Sequence, residues 1–143
     1  MGTTVAHIGM TVTDIEKVSE FYIKYFGFCK DYGFRFDEVF FRENDALFRQ
    51  PDGTCVDMQM IKSPNGVMLE LFLFPNVEQV GPAEWQRTGY SHIALRVDDL
   101  PALCERMKGD GVEFLMPVKE RSGGGDHWVY LKDPDGNLVE LWD

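Results

Sequence analysis

An eleven-residue pattern occurs twice in this chain, and that repeat limits what it can fold into more than any other feature. Lys62-Ser63-Pro64-Asn65-Gly66-Val67-Met68-Leu69-Glu70-Leu71-Phe72 aligns with Lys132-Asp133-Pro134-Asp135-Gly136-Asn137-Leu138-Val139-Glu140-Leu141-Trp142, and Lys, Pro, Gly, Glu and Leu coincide. Upstream of each copy lies a second matching pair. His7-Ile8-Gly9-Met10-Thr11-Val12-Thr13-Asp14-Ile15 aligns with His92-Ile93-Ala94-Leu95-Arg96-Val97-Asp98-Asp99-Leu100. The chain therefore reads as two modules, each with one histidine and one glutamate on separate apolar segments.

At 143 residues and 44% hydrophobic composition, the length suits a single domain with a sizeable core. Its expected organisation is one domain over 1–143, with module one at 1–75, a connection at 76–89 and module two at 90–143. The connection is richer in Pro, Gly and polar residues. No stretch approaches the roughly 18 apolar residues of a membrane span. Met1-Gly2-Thr3-Thr4 has neither the basic region nor the apolar run of a signal peptide, so a cytoplasmic location is expected. The net charge of −10 disfavours nucleic acid and anionic lipid as partners, since both need basic surface. A small-molecule substrate remains open, because a pocket can carry local charge of the opposite sign. Cys29, Cys55 and Cys104 fit neither a disulfide framework nor local zinc spacing and read as reduced structural thiols.

Each module reads as β-α-β-β-β. In the first, Val5 to Val12 alternates as a strand, and Thr13-Asp14-Ile15-Glu16 reads as a capping box opening a helix. Ile15, Val18, Phe21, Tyr22 and Phe26 form that helix's apolar stripe, and Gly27 ends it. Strands follow at 28–36, 54–61 and 67–74, with Asp37 to Gln50 as an insert that the second module lacks and that has room for a short helix. In the second module, strands are expected at 90–97, 112–118, 127–131 and 137–142, with a helix at 99–108. Arg121 to Gly125 reads as a glycine-rich loop, with His127 exposed beside it.

Residues two apart on a strand share a face. Leu69, Leu71 and Leu73 therefore share one face, as do Ile93, Leu95 and Val97, and Val139 and Leu141. Glu70, Glu140 and His92 fall on the opposite faces, with His7 in the equivalent place. An ionised glutamate between two leucines must be paired, hydrated or metal-bound, because a lone buried carboxylate is costly. The four residues His7, Glu70, His92 and Glu140 form a candidate ligand set for one divalent ion. Imidazole and carboxylate donors suit Zn, Ni, Co, Mn or Fe alike.

These segments resemble the vicinal oxygen chelate superfamily, which includes glyoxalase I, extradiol dioxygenases and bleomycin-resistance proteins. The resemblance rests on "HIGMTVTDIEKVSEFYIKYFGF", "SHIALRVDDL" and the terminal "LKDPDGNLVELWD". It implies an α+β fold of two tandem βαβββ modules whose sheets form a curved, incomplete barrel around a metal cavity. It implies the same four ligands, and a chemistry in which substrate oxygens are chelated. A metal-stabilised enediolate or enolate makes the neighbouring proton removable, with Glu70 and Glu140 as the groups that move it. The full ligand set is most similar to that of glyoxalase I, and the expected activity is a divalent-metal-dependent glyoxalase-type lyase, isomerase or epimerase. The alternatives are an Fe(II)-dependent ring-cleaving dioxygenase and a metal-free small-molecule-binding protein of the drug-resistance type. Glutathione-using glyoxalases usually carry an arginine four residues after the first histidine, and Thr11 stands there.

Substrate contacts follow from strand parity. Arg96 shares a face with His92 and can hold a carboxylate or phosphate bidentately. Thr11, Phe72 and Trp128 are further candidates for the cavity lining, whereas Trp142 reads as ordinary packing. By resemblance to the superfamily, a homodimer is expected.

Overall fold

A computed structural model describes residues 2–79, 81 and 85–143; Met1 and part of the connection at 76–89 lie outside the described residues. The chain divides into two compact units, 1–79 and 80–143. Each contains a four-stranded mixed sheet with helices, giving the α+β class with tandem βαβββ units. Among the described residues no helix is long and apolar enough to cross a membrane.

In the first unit the strands are β1 (His7–Thr11), β2 (Cys29–Phe36), β3 (Val56–Lys62) and β4 (Met68–Leu73), in the order β1-β4-β3-β2. β1 runs parallel to β4, and the other pairs are antiparallel. Helix α1 (Ile15–Phe26) follows β1 and buries Ile15, Val18, Phe21 and Tyr22 of the expected stripe, with its fifth member, Phe26, half-buried. Its N-cap is Asp14, whose carboxylate accepts from the Lys17 amide at 3.0 Å, and not Thr13 as the capping-box pattern predicts. A carboxylate at that position meets both the free amides and the positive end of the helix dipole. Gly27 closes the helix in the left-handed conformation at φ 69°, where a glycine is favoured.

The insert of module one forms two short helices, α2 (Glu38–Glu43) and α3 (Asp45–Phe48). They deliver Phe40, Phe41 and Phe48 into a cluster with Phe36, Phe72 and Phe74. Strand pairing sets Met58 beside Phe72 and Met60 beside Glu70, so the apolar face of β3 lies on the glutamate side of the sheet. The leucine side, Leu69 and Leu71, is fully buried. On β2 the register shifts between Lys30 and Gly33, and Gln59 Nε2 donates to the Tyr32 carbonyl at that irregularity. A Cβ on Gly33 would lie 2.7 Å from the Met58 carbonyl oxygen, so this strand crossing admits only glycine without a backbone shift.

The second unit repeats the plan with β5 (His92–Arg96), α4 (Leu100–Gly109), β6 (Lys119–Glu120), β7 (His127–Lys132) and β8 (Leu138–Trp142), ordered β5-β8-β7-β6. The strand expected at 112–118 is absent as a continuous element. Phe114 makes an isolated bridge to Leu131, and regular pairing resumes only at Lys119. Pro117 interrupts the segment because it has no amide to donate to a ladder.

His127 is also not the exposed loop residue expected. It opens β7, is half-buried, and places Nδ1 3.2 Å from Asp143 Oδ2. The same carboxylate accepts from the backbone amides of His127 at 2.6 Å and Leu100 at 3.2 Å, tying the start of α4 to the start of β7.

Burial pushes the Asp143 carboxyl up, but the amides of His127 and Leu100 and the His127 ring outweigh it and hold the group below its usual range. A depressed folded-state value adds stability that is complete above the ordinary carboxylate range and is lost as pH falls through the folded value. Asp143→Asn is therefore expected to lower stability by about 1 kcal/mol near neutral pH and to remove this acid-side loss, as checked by urea unfolding at pH 3 to 7. The Ser19 hydroxyl on α1 is buried with no hydrogen-bond partner. Ser19→Ala is expected to raise stability by about 1 kcal/mol in the same measurement, because it removes an unsatisfied polar group.

Candidate functional site

Parallel pairing of β1 with β4 sets His7 opposite Met68 and Gly9 opposite Glu70. The histidine and glutamate are thus one row apart on neighbouring strands, with only a glycine between them on β1. His7 Nε2 lies 3.3 Å from Glu70 Oε2. The second unit has the same register. His92 is opposite Leu138, Ala94 is opposite Glu140, and His92 Nε2 lies 3.2 Å from Glu140 Oε2. Small residues at the intervening positions leave room for each carboxylate to lean toward its imidazole.

The two pairs differ in support. His92 is three-quarters covered and its Nδ1 lies 2.8 Å from Ser91 Oγ, which fixes the ring orientation. Tyr130 stands opposite Glu140 on β7, with its hydroxyl 3.4 Å from His92 Nε2. Burial pushes the Tyr130 phenol up, and the Glu140 charge and hydrogen bond push it further, so the phenol keeps its proton. Trp85 packs against both the His92 and Tyr130 rings. His7 is more open, with 45% of its side chain exposed.

Each pair presents an imidazole nitrogen and a carboxylate oxygen within about 3.3 Å of one another. When Nδ1 carries the ring proton, two lone pairs face each other, and only a cation or a proton between them relieves the repulsion. Imidazole nitrogen and carboxylate oxygen are donor types that suit a divalent ion, and each unit brings one of each together. Among the described residues no three His, Cys, Asp or Glu side chains gather into one group, so each unit by itself supplies two donors.

The predicted substrate-contact residues occupy matching rows. In the first unit, Thr11 lies beside Phe72, Phe72 beside Met58 and Met58 beside Phe34. In the second, Arg96 lies beside Trp142, Trp142 beside Trp128 and Trp128 beside Lys119. Trp142 is thus not plain packing: the Arg96 guanidinium sits 4.7 Å from its ring centre and that of Arg121 5.2 Å. Arg121 and Trp85 lie in irregular segments that strand parity does not reach. Asp57 and Gln59 alternate with Met58 and Met60 and so lie on the face opposite the glutamate row, where Asp57 meets Arg35 at 3.1 Å and Gln59 donates to backbone carbonyls.

Paired βαβββ units with a His–Glu pair at equivalent strand positions define a duplicated α+β scaffold built around twin donor pairs. The match of residues 4–141 to the Glyoxalase/Bleomycin resistance protein/Dioxygenase superfamily model shows that the chain belongs to that family. It is 27% identical over 138 residues to a probable lactoylglutathione lyase of Vibrio cholerae, covering 96% of this chain and 88% of the relative. It is 31% identical over 144 residues to a lactoylglutathione lyase of Pseudomonas putida, covering 94% and 82% respectively. A probable lactoylglutathione lyase of Vibrio parahaemolyticus matches at 39% identity over 54 residues, which spans 39% of that relative's length. Among solved structures, a glyoxalase family protein of Bacillus cereus shares the fold at a TM-score of 0.77 and 18% identity, covering 95% of this chain and 90% of the other. Glyoxalase I of Leishmania major does so at 0.66 and 20%, with 98% and 86% covered.

The small residue between each donor pair is open to test. A Cβ at Gly9 would lie 3.9 Å from Glu70 Oε2, an ordinary contact, so Gly9→Ala is expected to leave the pair intact. Ala94→Leu is expected to drive Glu140 out of hydrogen-bond reach of His92. Crystal structures of the two variants check both outcomes.

Proposed function

We propose that this chain is a divalent-metal-dependent lyase of the glyoxalase I type, with one metal centre built from His7, Glu70, His92 and Glu140. The observation that supports it most is the equivalence of the two His–Glu pairs, which share the same register on two separate sheets. In this reading the pairs act together, contributed by the two units of one chain or by two chains of a homodimer. A divalent ion held by these four residues would supply Lewis-acid stabilisation of the negative charge left when a proton leaves the carbon beside a carbonyl.

The chain's own residues do the rest. Glu70 and Glu140 are carboxylates at equivalent positions, each suited to accept a proton at an Oε atom and return it at a neighbouring carbon. Tyr130 holds a phenolic proton beside Glu140 and orients that carboxylate. Ser91 fixes His92 so that Nε2 faces the centre. The family and the lactoylglutathione lyase relatives support a hemithioacetal as the substrate type. Thr11, in place of the arginine usual in glutathione-using glyoxalases, argues that anion recognition is arranged differently here.

His92→Ala and Glu140→Gln are each expected to lower bound divalent metal and to reduce turnover of methylglyoxal hemithioacetals at least a hundredfold, with the fold retained by circular dichroism. Elemental analysis of the purified variants, alongside the assay, checks this. Full metal occupancy in both variants overturns the ligand assignment.

A further inference from the structure

The row beside the donor pair of the second unit is chemically unlike its counterpart in the first. Across the first sheet it reads Thr11, Phe72, Met58, Phe34, with no charge. Across the second it reads Arg96, Trp142, Trp128, Lys119, with Arg121 added from the loop. Two guanidinium groups converge on one indole, and neither has a carboxylate partner among the described residues. Five other cations of this acidic chain are paired with acids: Lys30 with Glu16, Arg35 with Asp57, Lys62 with Asp31, Lys108 with Glu105 and Lys132 with Glu113. Arg96 and Arg121 are also exposed, so their donors remain free to meet a ligand.

Next to that row lies an open cavity of about 490 Å³ with a mainly apolar lining. Trp85, Leu115, Met116, Trp128, Tyr130 and Leu138 form its walls with Lys132, whose ammonium is already paired with Glu113 at 3.2 Å. Trp128 belongs to both features: it stands in the cationic row beside Trp142 and contributes to the cavity wall. Tyr130, opposite Glu140, links the cavity to the donor pair. A cavity of this size takes a small flat group rather than a polymer. The net charge of −10 also works against a polyanion, whose many phosphates would meet acidic surface beyond this row.

We propose that the second unit binds an aromatic or similarly flat apolar group that carries an oxyanion, a carboxylate or a phosphate. The flat group stacks in the Trp85–Trp128–Tyr130 cavity, and the oxyanion is held by Arg96 and Arg121 over Trp142. Planar guanidinium groups suit this role because they present paired N–H donors while stacking on an aromatic face. The inference rests on the proposed function for the word substrate, which it narrows to amphipathic anions. Binding itself needs no metal.

The test is calorimetric titration of the full chain, treated with a chelator, with phenyl phosphate, benzoate, inorganic phosphate and phenol. Phenyl phosphate and benzoate are expected to bind more tightly than inorganic phosphate or phenol, because only they engage both features. Arg96→Ala/Arg121→Ala is expected to weaken the two aryl anions at least tenfold and to leave phenol unchanged. Trp128→Ala is expected to weaken the aryl anions and phenol but not inorganic phosphate. Retention of the fold in each variant is checked by circular dichroism. Equal aryl-anion affinity in the chain and the double-arginine variant overturns the inference, as does binding of heparin with none of phenyl phosphate. Aryl anions that bind only after metal is restored, whatever stands at 96 and 121, place the ligand on the metal. That outcome overturns the inference and leaves the proposed lyase standing. A chain that binds no metal yet holds aryl anions through the arginines does the reverse.

Discussion

The structure depends on one register. In each unit an edge strand runs parallel to the last strand, and the offset between them sets a histidine one row from a glutamate. A shift of one residue would turn one partner to the opposite face of the sheet. The apolar residues on either side of each glutamate resist that shift, since Leu69, Leu71, Val139 and Leu141 are fully buried and would have to exchange places with a carboxylate. Core packing and donor placement are therefore a single constraint. The apolar residues fix the register, and the register brings the imidazole and the carboxylate together.

This coupling explains why so much of the candidate site was legible in the sequence. Alternation over Leu69-Glu70-Leu71 and Val139-Glu140-Leu141 is strong enough to fix which face each side chain takes, and the internal repeat supplies an independent second reading. Helix α1 was equally legible from its apolar stripe. What parity could not reach lies where the chain leaves regular structure. Arg121 projects from a glycine-rich turn and Trp85 from an irregular segment, so their approach to Trp142 and to His92 comes from tertiary folding alone. The segment at 112–118 failed for another reason. Its composition favours a strand, but Pro117 removes an amide that a ladder requires. His127 misled because glycines beside it suggest a free loop, whereas the distant Asp143 captures it.

The insert of module one shows how one scaffold acquires two characters. Helices α2 and α3 bring three phenylalanine rings against Phe36, Phe72 and Phe74 on the glutamate side of the first sheet. Aromatic pairs at these separations add to the burial of their area. The second unit lacks the insert, and there the corresponding row is held by cations on indole. The pairing pattern around the donors is the same in both units, while the surfaces beside them have opposite chemistry.

That asymmetry bears on how a duplicated scaffold can discriminate among substrates. Two equivalent donor pairs carry no information about which ligand to accept, because each offers the same imidazole and carboxylate. Discrimination has to come from residues whose counterparts differ. Position four after each histidine is such a place: Thr11 in one unit and Arg96 in the other, each level with an aromatic residue on the neighbouring strand. A guanidinium there selects charge, and a threonine beside phenylalanine does not. Under the proposed function, chemistry common to the family resides in the repeated residues, and selectivity particular to this chain resides where the repeat breaks.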